Sequence, residues 1–166
     1  MNILSILIIF IISVYLNFLF YNANSDSIHI LVCDEHLIQQ NALMFFNACE
    51  AGKGWDATQM YVLSEKSTFN AQVTDSLPGP KLSEIKTIKD YTTWMVGVVE
   101  EFGPKATAEI KTSAVDKERY TAIFYAIFAG VSDYVYSLSF DVETCKINSM
   151  HKIWNDGYAA KHPPTN

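Results

Sequence analysis

The stretch 132–140, "SDYVYSLSF", sets Tyr134, Tyr136, Leu138 and Phe140 at every second position. Side chains alternate between the two faces of a strand, so this spacing gathers four large groups on one side of a sheet. Upstream, 118–129 reads "ERYTAIFYAIFA": Phe124 and Phe128 point one way, Ile123, Tyr125 and Ile127 the other, and both faces ask for burial. The short "AGVSD" between the two runs is a hairpin turn. Downstream, 146–155 brings Asn148, Met150, Lys152 and Trp154 to one side of a last strand, and upstream 105–114 alternates Ala106, Ala108 and Ile110 against Thr107, Glu109 and Lys111. The second half of the chain is therefore an antiparallel meander.

Helices precede it. From Asp34 the run "DEHLIQQNALMFFNACEAGKG" has an N-cap acid, a long apolar face, and Gly52 and Gly54 as stop signals. A second, short helix, "WDATQMYV", follows, then strand-like "STFNAQV" at 67–73 and a loop, "SLPGPKL", at 76–82. Thr87 with Asp90 forms a capping box for the clearest helix, in which Ile88, Tyr91, Trp94, Met95, Val98, Val99 and Phe102 recur at three- and four-residue steps before Gly103 and Pro104. Helices first and a meander afterwards make an α+β arrangement, with N-terminal helices on one face of a strongly bent antiparallel or mixed sheet. A second copy is the simplest cover for an apolar opposite face, so a homodimer is expected.

The 166 residues fit one domain, and 49% apolar content is enough for a core. Twelve basic residues against eighteen acidic ones, for a net charge of −6, exclude the basic footprint that nucleic-acid binding needs. Residues 3–21, "ILSILIIFIISVYLNFLFY", are nearly long enough to cross a bilayer, and no Lys or Arg appears before Lys53. Residues 1–25 read as a signal peptide or membrane anchor, 26–161 as the domain and 162–166 as a tail, and membrane contact is expected only through the first segment. The expected location is outside the cytoplasm, secreted or anchored; the alternative is a mis-called start codon and a cytoplasmic domain. Cys33, Cys49 and Cys145 are odd in number and lack CxxC spacing, so the expectation is three buried, inert thiols without a disulfide. His29, His36, His151 and His162 have no ligand spacing, and no GxGxxG, P-loop, HExxH or GxSxG motif occurs, so neither a metal nor a nucleotide cofactor is expected.

The runs "FFNACEAGKGWDATQMY", "TIKDYTTWM", "EEFGPKATAEI", "SDYVYSLSF" and "HKIWNDGYAAK", in that order, resemble the SnoaL-like, polyketide cyclase-like branch of the nuclear transport factor 2-like superfamily over about residues 35–161. The resemblance implies a cystatin-like cone: a bent sheet around helices, with a pocket between them and dimers formed through the outer sheet face. It implies a small-molecule pocket protein for an apolar, ring-containing ligand, with metal-free acid/base isomerisation, cyclisation or dehydration as the chemistry. The alternative is a non-catalytic ligand-binding or dimerisation module that has lost its acid/base residues. Against the ketosteroid isomerase pattern, Phe45 stands at the tyrosine position, Ala71 near the base and Tyr136 at the second acid. Against the cyclase pattern, Lys152 falls near the acid/base aspartate, with His151 beside it and Asp156 further along.

The candidates for proton transfer are accordingly Lys152, His151 and Asp156, and the expected pocket residues are Trp154, Met150, Tyr134, Tyr136, Tyr91 and Phe45. Lys152 has two readings: a desolvated amine acting as base or Schiff-base former, or a stem packed on Trp154 with the ammonium at the pocket mouth. His151 alternates to the opposite face. Asp156 precedes Gly157 and also reads as a turn residue, and Asp133 as a hairpin or interface carboxylate.

Overall fold

Helix α1, Glu35–Glu50, starts where Asp34 accepts a hydrogen bond from the Leu37 amide at 2.8 Å, and it buries Ile38, Ala42, Phe45, Phe46 and Cys49. The computed structural model describes residues 33–72, 84–130 and 132–155. The hydrophobic segment 1–25, the loop 76–82 and the tail lie outside them. Among the described residues no helix is long and apolar enough to cross a membrane.

After α1 come a short α2, Gly54–Thr58, and a 3₁₀ turn, Gln59–Tyr61, so the expected second helix is split in two. Strand β1 spans Thr68–Gln72. Helix α3, Ile88–Phe102, has the expected capping box: Thr87 Oγ1 accepts from the Asp90 amide at 3.1 Å and donates to Asp90 Oδ2 at 2.7 Å. Its buried face is Ile88, Tyr91, Met95 and Val98, with Trp94, Val99 and Phe102 half-buried beside it. A 3₁₀ turn, Gly103–Lys105, takes the start of the expected strand at 105, because Pro104 has no amide for a ladder; β2 runs Ala108–Asp116.

Strands β3 (Thr121–Phe128), β4 (Ser132–Phe140) and β5 (Ile147–Asn155) complete a five-stranded sheet of order β1-β5-β4-β3-β2. The meander β2 to β5 is antiparallel, while β1 adds to β5 in parallel, opposing Ala71 to Lys152 and Phe69 to Met150. Register breaks between Ile110 and Thr112 and between Ser139 and Phe140 end the strict alternation there, as bulges do. The inner face carries Phe124, Phe128, Tyr134, Tyr136, Leu138, Met150 and Lys152 against the helices. On the outer face of the single chain Tyr125, Ile127 and Val135 are half-buried, and Ile123 and Ile153 are 43% and 44% exposed.

The cysteine expectation is overturned. Cys33 and Cys145 form a disulfide across 112 residues, and only Cys49 is a buried free thiol among the described residues. Neither number nor spacing signals this bond, because it joins the residue before the α1 N-cap to the turn between β4 and β5, which meet only in the folded chain. Asn41 reinforces the junction by donating to the Cys145 carbonyl at 2.9 Å.

At the other end of α1, Gly52 adopts a φ of +64°, and a Cβ there would lie 2.8 Å from the Val99 side chain on α3. This close approach fixes the helix end that carries Glu50.

Reducing the disulfide, or replacing Cys33 and Cys145 with serine, is expected to lower stability by about 2–5 kcal/mol. Guanidinium denaturation with and without reductant measures this, and Cys49→Ser should leave the reductant effect intact.

Candidate functional site

The C-terminal turn of α1 places Cys49 and Glu50 on the buried stripe that runs from Ile38 through Phe46, leaving a carboxylate only 2% exposed. A surface role at a helix C-terminus would suit a cation better, since the helix dipole is negative there. Three tyrosines converge on this carboxylate. Tyr91, from α3, donates to Glu50 Oε1 at 3.0 Å; Tyr136, from β4, donates to the same oxygen; and Tyr134, two residues earlier on the same strand face, donates to Oε2. The Tyr91 and Tyr136 hydroxyls also lie 2.6 Å apart, so either can give its single hydrogen to the other instead of to Glu50.

Lys152 completes the cluster from β5. It is fully buried, which corrects the reading that its ammonium reaches the pocket mouth. Its Nζ donates to Tyr91 Oη at 2.7 Å and stands 3.9 Å from Glu50 Oε1, so the ion pair is bridged by a hydroxyl. Aromatic faces enclose the ammonium: the Tyr134 centroid is 3.9 Å away, Trp154 4.5 Å, Tyr136 4.9 Å and Tyr91 5.2 Å. Such faces attract a cation through their quadrupoles and replace part of its lost hydration. The rings lock one another: Tyr134 stacks on Trp154, Tyr91 on Phe69, and Phe46 meets Tyr136 edge-on.

Burial governs the proton affinities. Desolvation holds the Lys152 amine below the ordinary lysine value, with the charge of Glu50 opposing the shift. Desolvation and then the Glu50 charge push the Tyr91, Tyr134 and Tyr136 hydroxyls well up, so they remain donors. The same two causes raise the Cys49 thiol and keep it protonated.

A cavity of about 250 Å³ reaches this cluster. Glu50 and Phe46 line it from α1, Ala106 and Ala108 from the opposite side, and the exposed Asn47 and Thr107 sit at its mouth. Lys152, Tyr91, Tyr134, Tyr136 and Trp154 are thus brought together, but behind Glu50. Phe45 and Met150 are core residues and His151 lies half-buried on the outer face opposite Ser137. Asp156 lies outside the described residues. Among the described residues no group of three His, Cys, Asp or Glu side chains is arranged to hold a metal ion.

No family model matches the sequence, and no curated protein matches it. Solved structures do match. A protein with a cystatin-like fold from Methylobium petroleophilum PM1 superposes with a TM-score of 0.60 at 10% identity, over 74% of this chain and 78% of its own. The chain has the cystatin-like fold. A SnoaL-like protein from Burkholderia thailandensis E264 matches with a TM-score of 0.55 at 8% identity, over 75% and 98%. BvnE pinacolase from Penicillium brevicompactum matches with a TM-score of 0.51 at 12% identity, over 76% and 88%. At the level of fold, the SnoaL-like resemblance carried by the sequence is borne out.

Removing one member of a buried pair strands the other, so Lys152→Met is expected to cost about 3–5 kcal/mol, and the double variant Lys152→Met/Glu50→Leu much less than the sum of the two single losses. The pH dependence has a definite sign. Between its depressed folded value and the ordinary one, Lys152 binds more protons unfolded than folded, so the stability advantage of the wild type over Lys152→Met grows as pH rises through that window. Urea melts of both proteins across the alkaline range measure it.

Proposed function

We propose that the chain is a small-molecule pocket protein performing metal-free acid/base chemistry on an apolar, ring-containing ligand, with Glu50 as the group that exchanges a proton with it. The observation that carries this reading is the position of Glu50: the residue lines the cavity, while three tyrosines and Lys152 surround its carboxylate. A carboxylate withdrawn from water and flanked by fixed donors and a counter-charge is the kind of group that moves protons in isomerisation, cyclisation and dehydration. Lys152, Tyr91, Tyr134 and Tyr136 then act through Glu50, and Trp154 keeps Lys152 in place. One structure of the same fold is a pinacolase, which is consistent with chemistry in this scaffold.

A second reading, a non-catalytic binding module, is favoured by one observation: the three tyrosine hydrogen bonds take up most of the acceptor sites of Glu50. The proposal also places the domain outside the cytoplasm, secreted or held by residues 1–25, because a structural disulfide such as Cys33–Cys145 persists in oxidising compartments. It includes a homodimer through the outer sheet face, where Ile123 and Ile153 remain exposed.

The test is deuterium incorporation at the hydroxyl-bearing carbon of 2-hydroxyindan-1-one in D₂O, read by mass spectrometry. The wild type should exceed the buffer rate, and Glu50→Gln should lose about 10²-fold or more of that excess. A wild type that retains the ketol yet matches buffer would establish the binding module instead.

A further inference from the structure

We infer that the cavity selects a neutral molecule of one or two rings that donates a hydrogen bond, and excludes anions and cations of the same shape. This rests on the reading of Glu50 as the group facing the ligand and adds its substrate class.

Charge is the first ground. Glu50 is the sole ionisable group lining the cavity among the described residues, so an anionic ligand meets a carboxylate and no lining cation. A cationic ligand fares little better, because Lys152 stands 3.9 Å behind Glu50 and already balances its charge. The titratable groups facing Glu50 are otherwise neutral donors: Cys49 from α1, Tyr91 from α3, and Tyr134 and Tyr136 from β4. An ion brought into this site would lose its hydration for no net attraction, a penalty that a neutral group escapes.

Hydrogen-bond accounting is the second ground. A carboxylate has about four lone-pair sites. Oε1 takes Tyr91 and Tyr136, and Oε2 takes Tyr134, so Oε2 has capacity for one more donor. A ligand hydroxyl satisfies it, whereas a hydrocarbon leaves a desolvated acceptor unpaired.

Size is the third. About 250 Å³ is below the roughly 300–1,000 Å³ typical of drug-sized sites, and Ala106 and Ala108 set that width by being small.

The experiment uses four compounds on one skeleton: indan-2-ol, indane, indan-2-amine as its ammonium ion, and indane-2-carboxylate. Their affinities for the full chain are measured by NMR titration, following the Asn47 side-chain amide and the Ala108 methyl. Indan-2-ol should bind about tenfold or more tighter than each of the others. Ala108→Leu, with an unchanged circular dichroism spectrum, should weaken it by a similar factor. Indane binding as well as indan-2-ol would overturn the donor requirement while leaving a pocket protein in place. Tighter binding of the carboxylate or the ammonium would overturn the charge argument. Equal binding by Ala108→Leu would place the ligand elsewhere, and no binding by any of the four would overturn both this inference and the pocket reading. The predicted order with no ketol exchange would uphold this inference and remove only the catalytic one.

Discussion

A carboxylate and an ammonium, both withdrawn from water and joined through the Tyr91 hydroxyl, set the terms for the rest of the structure. Taking either charge from water costs several kcal/mol, and the cost is met only if every remaining donor and acceptor finds a partner. Here the partners come from α1, α3, β4 and β5 together. Helix packing, strand register and ring stacking therefore have to be right at once. A one-residue slip of β4 against β5 would turn Tyr134, Tyr136 or Lys152 to the outer face and leave Glu50 unsatisfied. Gly52 against Val99 and the Cys33–Cys145 bond hold the two ends of α1 while this network sits at its last turn.

Much of the fold was legible because period and punctuation agree. The alternation of Tyr134, Tyr136, Leu138 and Phe140, the capping box at Thr87 and Asp90, and the apolar steps of α3 each state a local structure that the tertiary packing endorses. What was not legible depends on contacts far apart in the chain. The parallel pairing of β1 with β5 has no local signal, and the disulfide joins residues that nothing in their neighbourhoods relates. The outer face of β3 reads as apolar by composition, yet composition does not say that Ile123 is left uncovered by the chain's own elements.

The site was half legible. Strand alternation put Lys152 and Trp154 on one side and His151 on the other, and the same rule grouped Tyr134 with Tyr136. The depth of Lys152 was not readable, since a long amphipathic side chain reaches water or stays inside according to whether an anion awaits it. That anion is Glu50, which went unnoticed although a signal existed: it lies four residues after Phe46, on the apolar stripe of α1 and at the dipole end least suited to a carboxylate. An acid on a core stripe, opposite a lysine on a core strand face, is a pair worth seeking in a sequence.

Whether Lys152 is enclosed with Glu50 is best tested by competitive acetylation of the native protein with a water-soluble active ester, read by peptide mass spectrometry. With Lys152 enclosed, it stays unmodified while the exposed Lys53 and Lys117 react, and it becomes reactive only on unfolding. Modification of Lys152 in the folded protein at the rate of Lys53 and Lys117 would put its amine in water and contradict the account.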